Sequence, residues 1–172
     1  LDFQIRSHRV PNDPDRSGHQ SDAGDRWWGK IYDESRRNKV IANPADEKAL
    51  TAAIKKDDWN DYVVRAEGAR IRIWINGVAG SDYIEADPKI PLEGRIGLQV
   101  HGGGKALVQF KDMTIEELPA TPKHEGAPEP KKEEKSAQPG AAKFTLKDLT
   151  GFDGRCDSFA FTPAAGRVAP VK

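Results

Sequence analysis

Tyr62–Gly77, YVVRAEGARIRIWING, decides the fold. Tyr62, Val64 and Ala66 alternate with Val63, Arg65 and Glu67. After a turn at Gly68-Ala69, Ile71, Ile73 and Ile75 alternate with Arg70, Arg72 and Trp74. A period of two sends neighbouring side chains to opposite faces, so each run reads as a strand with one buried face. Asn76-Gly77 is the two-residue turn that joins antiparallel strands, because both residues tolerate positive φ. Arg70 and Arg72 then belong to a solvated strand face, and Asn76-Gly77 is turn chemistry alone.

Toward the C-terminus a shorter strand returns around Asp82–Ile84, and Pro88 and Pro91 bracket a loop. Gly94–His101 alternates again, with Ile96, Leu98 and Val100 inward and Arg95, Gln99 and His101 opposite. Gly102–Gly104 turns the chain into Ala106–Leu118. Toward the N-terminus, Trp59-Asn60 reads as a turn-capping pair. Asn43-Pro44 reads as the N-cap and first residue of one short helix, Ala45–Lys56, with Ala49, Leu50, Ala53 and Ile54 as its apolar stripe. Leu1–Ser7 sets Leu1, Phe3 and Ile5 against Asp2, Gln4 and Arg6, a half-buried strand, and His8–Ser17 reads as loop. Gly18–Arg37 reads as short irregular strands bent at Gly18, Gly24 and Gly29. Many short strands with closely spaced turns make residues 1–118 an all-β domain, a β-sandwich or jelly roll.

Lys+Arg and Asp+Glu balance at 27 each, so no net field gathers nucleic acid or an anionic membrane. Cys156 is the lone cysteine, which excludes an internal disulfide. No run of about 18 apolar residues is present to form a spanning helix. Leu1 lies inside a strand pattern, which reads as a processed product or a fragment lacking upstream strands. Residues 119–143 are rich in Pro, Lys and Glu without an aromatic residue, the composition of a solvated, disordered linker. Residues 144–172 regain short apolar runs. FAFTPAAGRVA resembles the opening of a WD-repeat propeller blade, which implies a propeller domain further on; the other reading is a strand added to the sandwich edge.

GHQSDAGDRWWGKIYDESRR, residues 18–37, concentrates Trp27, Trp28 and Tyr32 among acids and bases. Flat aromatic faces beside polar groups suit a sugar ring, which offers C–H patches and hydroxyls. The plainer reading is a hairpin whose tryptophans fill the core. The ordered motifs FQIRS, GHQSD, WWGKIYDESRR, DDWNDYVVRAEG, RIRIWINGV and GRIGLQVHGGG closely resemble the 3-keto-disaccharide hydrolase family, also described as 3-keto-glucoside 1,2-lyases and 3-keto-2-hydroxy-glucal hydratases. The resemblance covers Leu1–Leu118 and implies a concanavalin A-like jelly roll, incomplete at its N-terminus. It also implies a bacterial enzyme exported to the periplasm or exterior, acting on a small-molecule glycoside oxidised at C3.

Such chemistry needs a base for the C2–H, an acid for the departing C1 substituent and a donor for the developing oxyanion. Within the resemblance, Asp22 and Glu34 are the acid/base candidates. Lys30 and Arg6 would stabilise the enolate, Tyr32 would donate or relay a proton, and His101 is a further catalytic candidate. Gln20, Gln99 and Arg6 would hold hydroxyls, and Trp27 or Trp28 would stack on the sugar. Structural alternatives stand beside these: His101 closing a hairpin, Arg6 pairing with Asp22 or Asp33, and Asp33 as a structural partner on the side of Ile31. No cofactor motif is present. A calcium ion on PNDPD (residues 11–15), or a mixed site of His101, Asp22 and Glu34, is the divalent-cation alternative. A non-catalytic carbohydrate-binding module and an interaction module of a larger exported protein are the competing functions.

Overall fold

The computed structural model describes residues 2–12, 16–99 and 108–119 and the short strands at 143–145, 159–161 and 169–170. In chain order the elements are β1 (Asp2–Arg9), β2 (Arg16–Asp22), β3 (Ile31–Glu34), β4 (Lys39–Ala42), α1 (Glu47–Ala53), β5 (Tyr62–Glu67) and β6 (Arg70–Ile75). There follow β7 (Val78–Ile84), β8 (Arg95–Gln99), β9 (Val108–Gln109), β10 (Thr114–Glu117), β11 (Lys143–Thr145), β12 (Phe159–Phe161) and β13 (Ala169–Pro170). One sheet has the order β4-β3-β2-β1-β8 and the other β11-β10-β12-β5-β6-β7, with β13-β9 as a separate pair. The fold is therefore mostly β, in antiparallel sheets with one short helix.

Alternation fixes what lies between the two large sheets. Phe3, Ile5 and Ile31 from the first meet Tyr62, Val64, Ala66, Ile71, Ile73 and Ile75 from the second, all nearly fully buried. The Phe3 and Tyr62 rings stack at 4.6 Å between centroids. Each valine, isoleucine or phenylalanine among them contributes about 1.5–3 kcal/mol on burial, so this shared layer holds the sheets together. The hairpin between β6 and β7 turns at Asn76-Gly77 as expected, with both residues at positive φ. Asn60 is fully buried, and its amide ties Lys55, Asp58 and Asn76 together, the structural role expected for it.

Several local expectations change. The helix is shorter than Ala45–Lys56, and its N-cap is Asp46, whose carboxylate accepts the Ala49 N–H at 2.8 Å; Asn43 does not cap it. Pro44 is instead buried beside Gly29, and Leu50 is the one helix residue that is fully buried. β1 and β2 run further into 8–17 than a loop allows, and β4 is an additional strand. Gly18 lies within β2 opposite Glu34, not at a bend.

The polar face of β1 is not solvated: Asp2, Gln4 and Arg6 are 6%, 2% and 0% exposed. A bulge explains part of this, since the register of β1 shifts after Ile5 toward β2 and after Gln4 toward β8. Arg6 sits there at φ +51°. A Cβ on Gly94, itself at φ +153°, would fall 2.4 Å from the Arg6 carbonyl carbon, and one on Gly18 would fall 2.8 Å from the Ser7 Cα. Two glycines thus let neighbouring backbone close over the bulge.

Backbone pairing places β12 between β10 and β5, and β11 on the far side of β10. The linker over 120–142 and most of the FAFTPAAGRVA phrase lie outside the described residues, as do Leu1, residues 13–15 of the calcium candidate, and His101. No described helix is long and apolar enough to cross a membrane.

Candidate functional site

The face of the first sheet that points away from the core is polar. Asp2↔Asp22, Gln4↔Gln20 and Gln20↔Tyr32 are direct cross-strand partners, and Glu34 faces Gly18. Period-two alternation therefore brings Asp2 and Gln4 of β1, Gln20 and Asp22 of β2, and Tyr32 and Glu34 of β3 to one surface. A cleft of about 590 Å³ opens over it, lined by Asp2, Gln20, Asp22, Tyr32 and Glu34 and walled by the turn that carries Trp27. That turn is closed at its base by Gly29 N–H to Asp22 O and Asp22 N–H to Lys30 O. Inside it, the amides of Trp27 and Trp28 both donate to Gly24 O. Trp27 emerges 46% exposed and stands edge-on to Tyr32 at 6.2 Å.

A chain of amides orients the acids. Gln4 Nε2 donates to Gln99 Oε1 at 2.7 Å and to Gln20 Oε1 at 2.6 Å; Gln20 Nε2 in turn donates to Asp22 Oδ1 at 2.9 Å. Burial pushes the Asp22 carboxyl up to about 8 against the hydrogen bond from Gln20, and the adjacent Asp2 carboxyl adds to the rise. Asp22 is consequently protonated at neutral pH. The Tyr32 hydroxyl is also pushed up, by desolvation and by Glu34 and Asp22, so it keeps its proton. The cleft thus holds two proton donors, the Glu34 carboxyl group and an aromatic wall.

The sequence-derived candidates divide. Asp22, Glu34, Tyr32, Gln20 and Trp27 come together in the cleft. Gln99 reaches it only through Gln4. Lys30 does not line it: its ammonium lies 3.3 Å from Glu47 of α1, although Lys30 does alternate with Ile31. Trp28 packs against the core, the structural reading of that pair. Arg6 is fully buried at the bulge and is not among the lining residues. Asp2 lines the cleft and was missed, since only the pairing of two strands twenty residues apart reveals it. Among the described residues, no three His, Cys, Asp or Glu side chains gather as a metal-ligand set.

The opposite face of β2 and β3 carries a second polar cluster, between the sheets. His19 Nε2 lies 3.1 Å from Glu85 Oε2, both side chains essentially inaccessible. Arg37 bonds both Asp33 and Glu85 and donates to Tyr83 Oη at 3.1 Å; Arg36 Nε donates to Asp33 at 2.7 Å. Glu85 is held well below the usual carboxylate range, because hydrogen bonds from His19, Arg37 and the Asp87 N–H outweigh its desolvation. Burial keeps His19 below its ordinary value despite Glu85. Asp33 is a structural partner here, as its position beside Ile31 suggested. His19 and Glu85 gave no signal in the sequence, because their partnership depends on the sheets meeting.

None of the curated proteins or solved structures compared with the chain matches it. A family model does match, over residues 3–116, and that range contains every lining residue of the cleft except Asp2. By that match the chain belongs to the 3-keto-alpha-glucoside-1,2-lyase-like domain family.

Proposed function

We propose that the cleft cleaves a glycoside whose C3 carries a ketone, by elimination across C1–C2 followed by hydration. The observation that carries this reading is Asp22: a buried carboxyl that holds its proton to about pH 8 beside an exposed tryptophan. The C3 ketone acidifies the C2–H. Glu34 removes that proton, and the electrons move into a C2–C3 enolate, whose oxygen the Tyr32 hydroxyl stabilises. The enolate re-forms the ketone as the C1–O bond breaks, and Asp22 gives its proton to the departing oxygen. Ionised Asp22 then takes a proton from water as it attacks C1, and Glu34 returns its proton to C2, so both groups end as they began.

Strand register supports the spacing. Asp22 is four residues from Gly18, the partner of Glu34, so the two backbones are offset by about 13 Å along the strands. Both side chains line the one cleft, with Tyr32 between them on β3. Trp27 offers the stacking face. The packed antiparallel sheets support the concanavalin A-like jelly roll associated with the family.

A binding cleft without chemistry is the second reading, and the engagement of Lys30 by Glu47 favours it, since no lysine or arginine lines the described cleft to meet an enolate. Incubation with a 3-keto-glucoside separates the two. Catalysis predicts release of 3-keto-glucose, whereas saturable binding with the sugar left intact would establish the module.

A further inference from the structure

We infer that Asp2 is the positioning partner of Asp22: their carboxyl groups meet across the β1–β2 ladder, share one proton and keep Asp22 a donor toward a sugar in the cleft. The inference rests on the role proposed above for Asp22. Register carries it first. Asp2 and Asp22 are directly opposed, which sets their Cβ atoms about 5 Å apart on the same face. Both are almost fully buried, and both line the cleft.

The amide chain supplies the second argument. Gln99 and Gln4 hold Gln20 so that its Nε2 is committed to Asp22 Oδ1. That leaves Asp22 Oδ2, buried and with no other donor, for the carboxyl of Asp2. Two carboxylates so placed cannot both ionise without severe repulsion, and a single proton between them removes it. The other groups around Asp22 do not take over this role. On β3, Tyr32 stands opposite Gln20 and Glu34 opposite Gly18, so neither is the cross-strand partner of Asp22. Lys30 is drawn to Glu47, and the Tyr62 hydroxyl from β5 is spent on the Asp22 backbone carbonyl at 2.9 Å and on Ser21.

The test needs no substrate. With aspartate side-chain carboxyls labelled with carbon-13, the wild-type chain shows one resonance titrating near pH 8. Asp22→Asn removes it and so assigns it. Asp2→Asn, whose amide can donate to an ionised Asp22, moves it down by about one pH unit or more, whereas Asp2→Glu keeps it high. A wild-type chain with no aspartate titrating above pH 6, or an Asp2→Asn variant that leaves the resonance in place, overturns the inference; the first of these decides even if Asp2→Asn does not fold. A separate assay on a 3-keto-glucoside then reads the alkaline limb of kcat/KM, which moves with the resonance. Normal titration without turnover would leave the pair standing and defeat the proposed enzymology instead.

Discussion

β2 and β3 carry two polar clusters, one on each face, and the clusters differ in how their charges are matched. Facing the second sheet, Asp33 and Glu85 meet Arg36, Arg37 and His19 at hydrogen-bond distance. Facing the cleft, Asp2, Asp22 and Glu34 share a lining that has no basic side chain among the described residues. A matched set of buried charges serves to hold two sheets in register, and it has no proton to give. An unmatched set must keep a proton on one of its acids, which costs stability and supplies a donor. By this contrast the first cluster is scaffold and the second is the proposed site.

The largest effect that would break this contrast is on stability. Glu85→Ala leaves buried His19 without its partner and Arg37 with Asp33 and Tyr83 alone, and should cost about 3 kcal/mol, the low end for a broken buried pair because Arg37 is partly exposed. A urea titration measures it, and a change below about 0.5 kcal/mol would show the cluster to be idle. In the cleft, Asp22→Asn should lower turnover of a 3-keto-glucoside by about 10²-fold while leaving the urea midpoint equal or higher. Joint loss of activity and stability would erase the distinction between the two faces.

The pH dependence of stability sharpens it. Folding raises the proton affinity of Asp22, so its contribution declines as pH rises from about 4, where an unfolded Asp titrates, to about 8. Glu85 and His19 act on the other side. Glu85 is depressed on folding, so it stabilises fully above its ordinary value and that stabilisation is lost progressively as pH falls below about 4.3. His19 is held neutral, and stability drains away below about 6.5 as the unfolded chain takes up the proton. Thermal melts across pH should therefore lose their alkaline slope in Asp22→Asn and keep their acid slope. The smallest effect is at the wall of the cleft: Trp27→Ala removes a half-exposed ring and should raise KM by about fivefold, equivalent to a stacking contact of roughly 1 kcal/mol, with the melt unchanged.

The sandwich strands were legible because burial of one face imposes period two, as in Tyr62–Glu67 and Arg70–Ile75. The same alternation set Lys30 and Tyr32 on one face opposite Ile31, but it cannot distinguish a face turned to water from one turned to a cleft. It placed Asp2, Gln4 and Arg6 opposite Phe3 and Ile5, and gave no sign that this second face is buried too. Adjacent tryptophans look equivalent in sequence, yet the turn after Gly24 sends Trp28 to the core and Trp27 to the cleft. Lys30 was read from its strand face, while its partner Glu47 stands on a helix that periodicity could not position.

The proton on Asp22 links the fold to the proposed site and reaction, and the pH dependence of kcat/KM on a 3-keto-glucoside tests it most directly. Wild-type chain should consume the sugar with a rate that falls on the alkaline side at an apparent pKa near 8, a limb missing from the residual activity of Asp22→Asn. A wild-type profile flat through that range, or an Asp22→Asn variant as fast as wild type, would contradict the account.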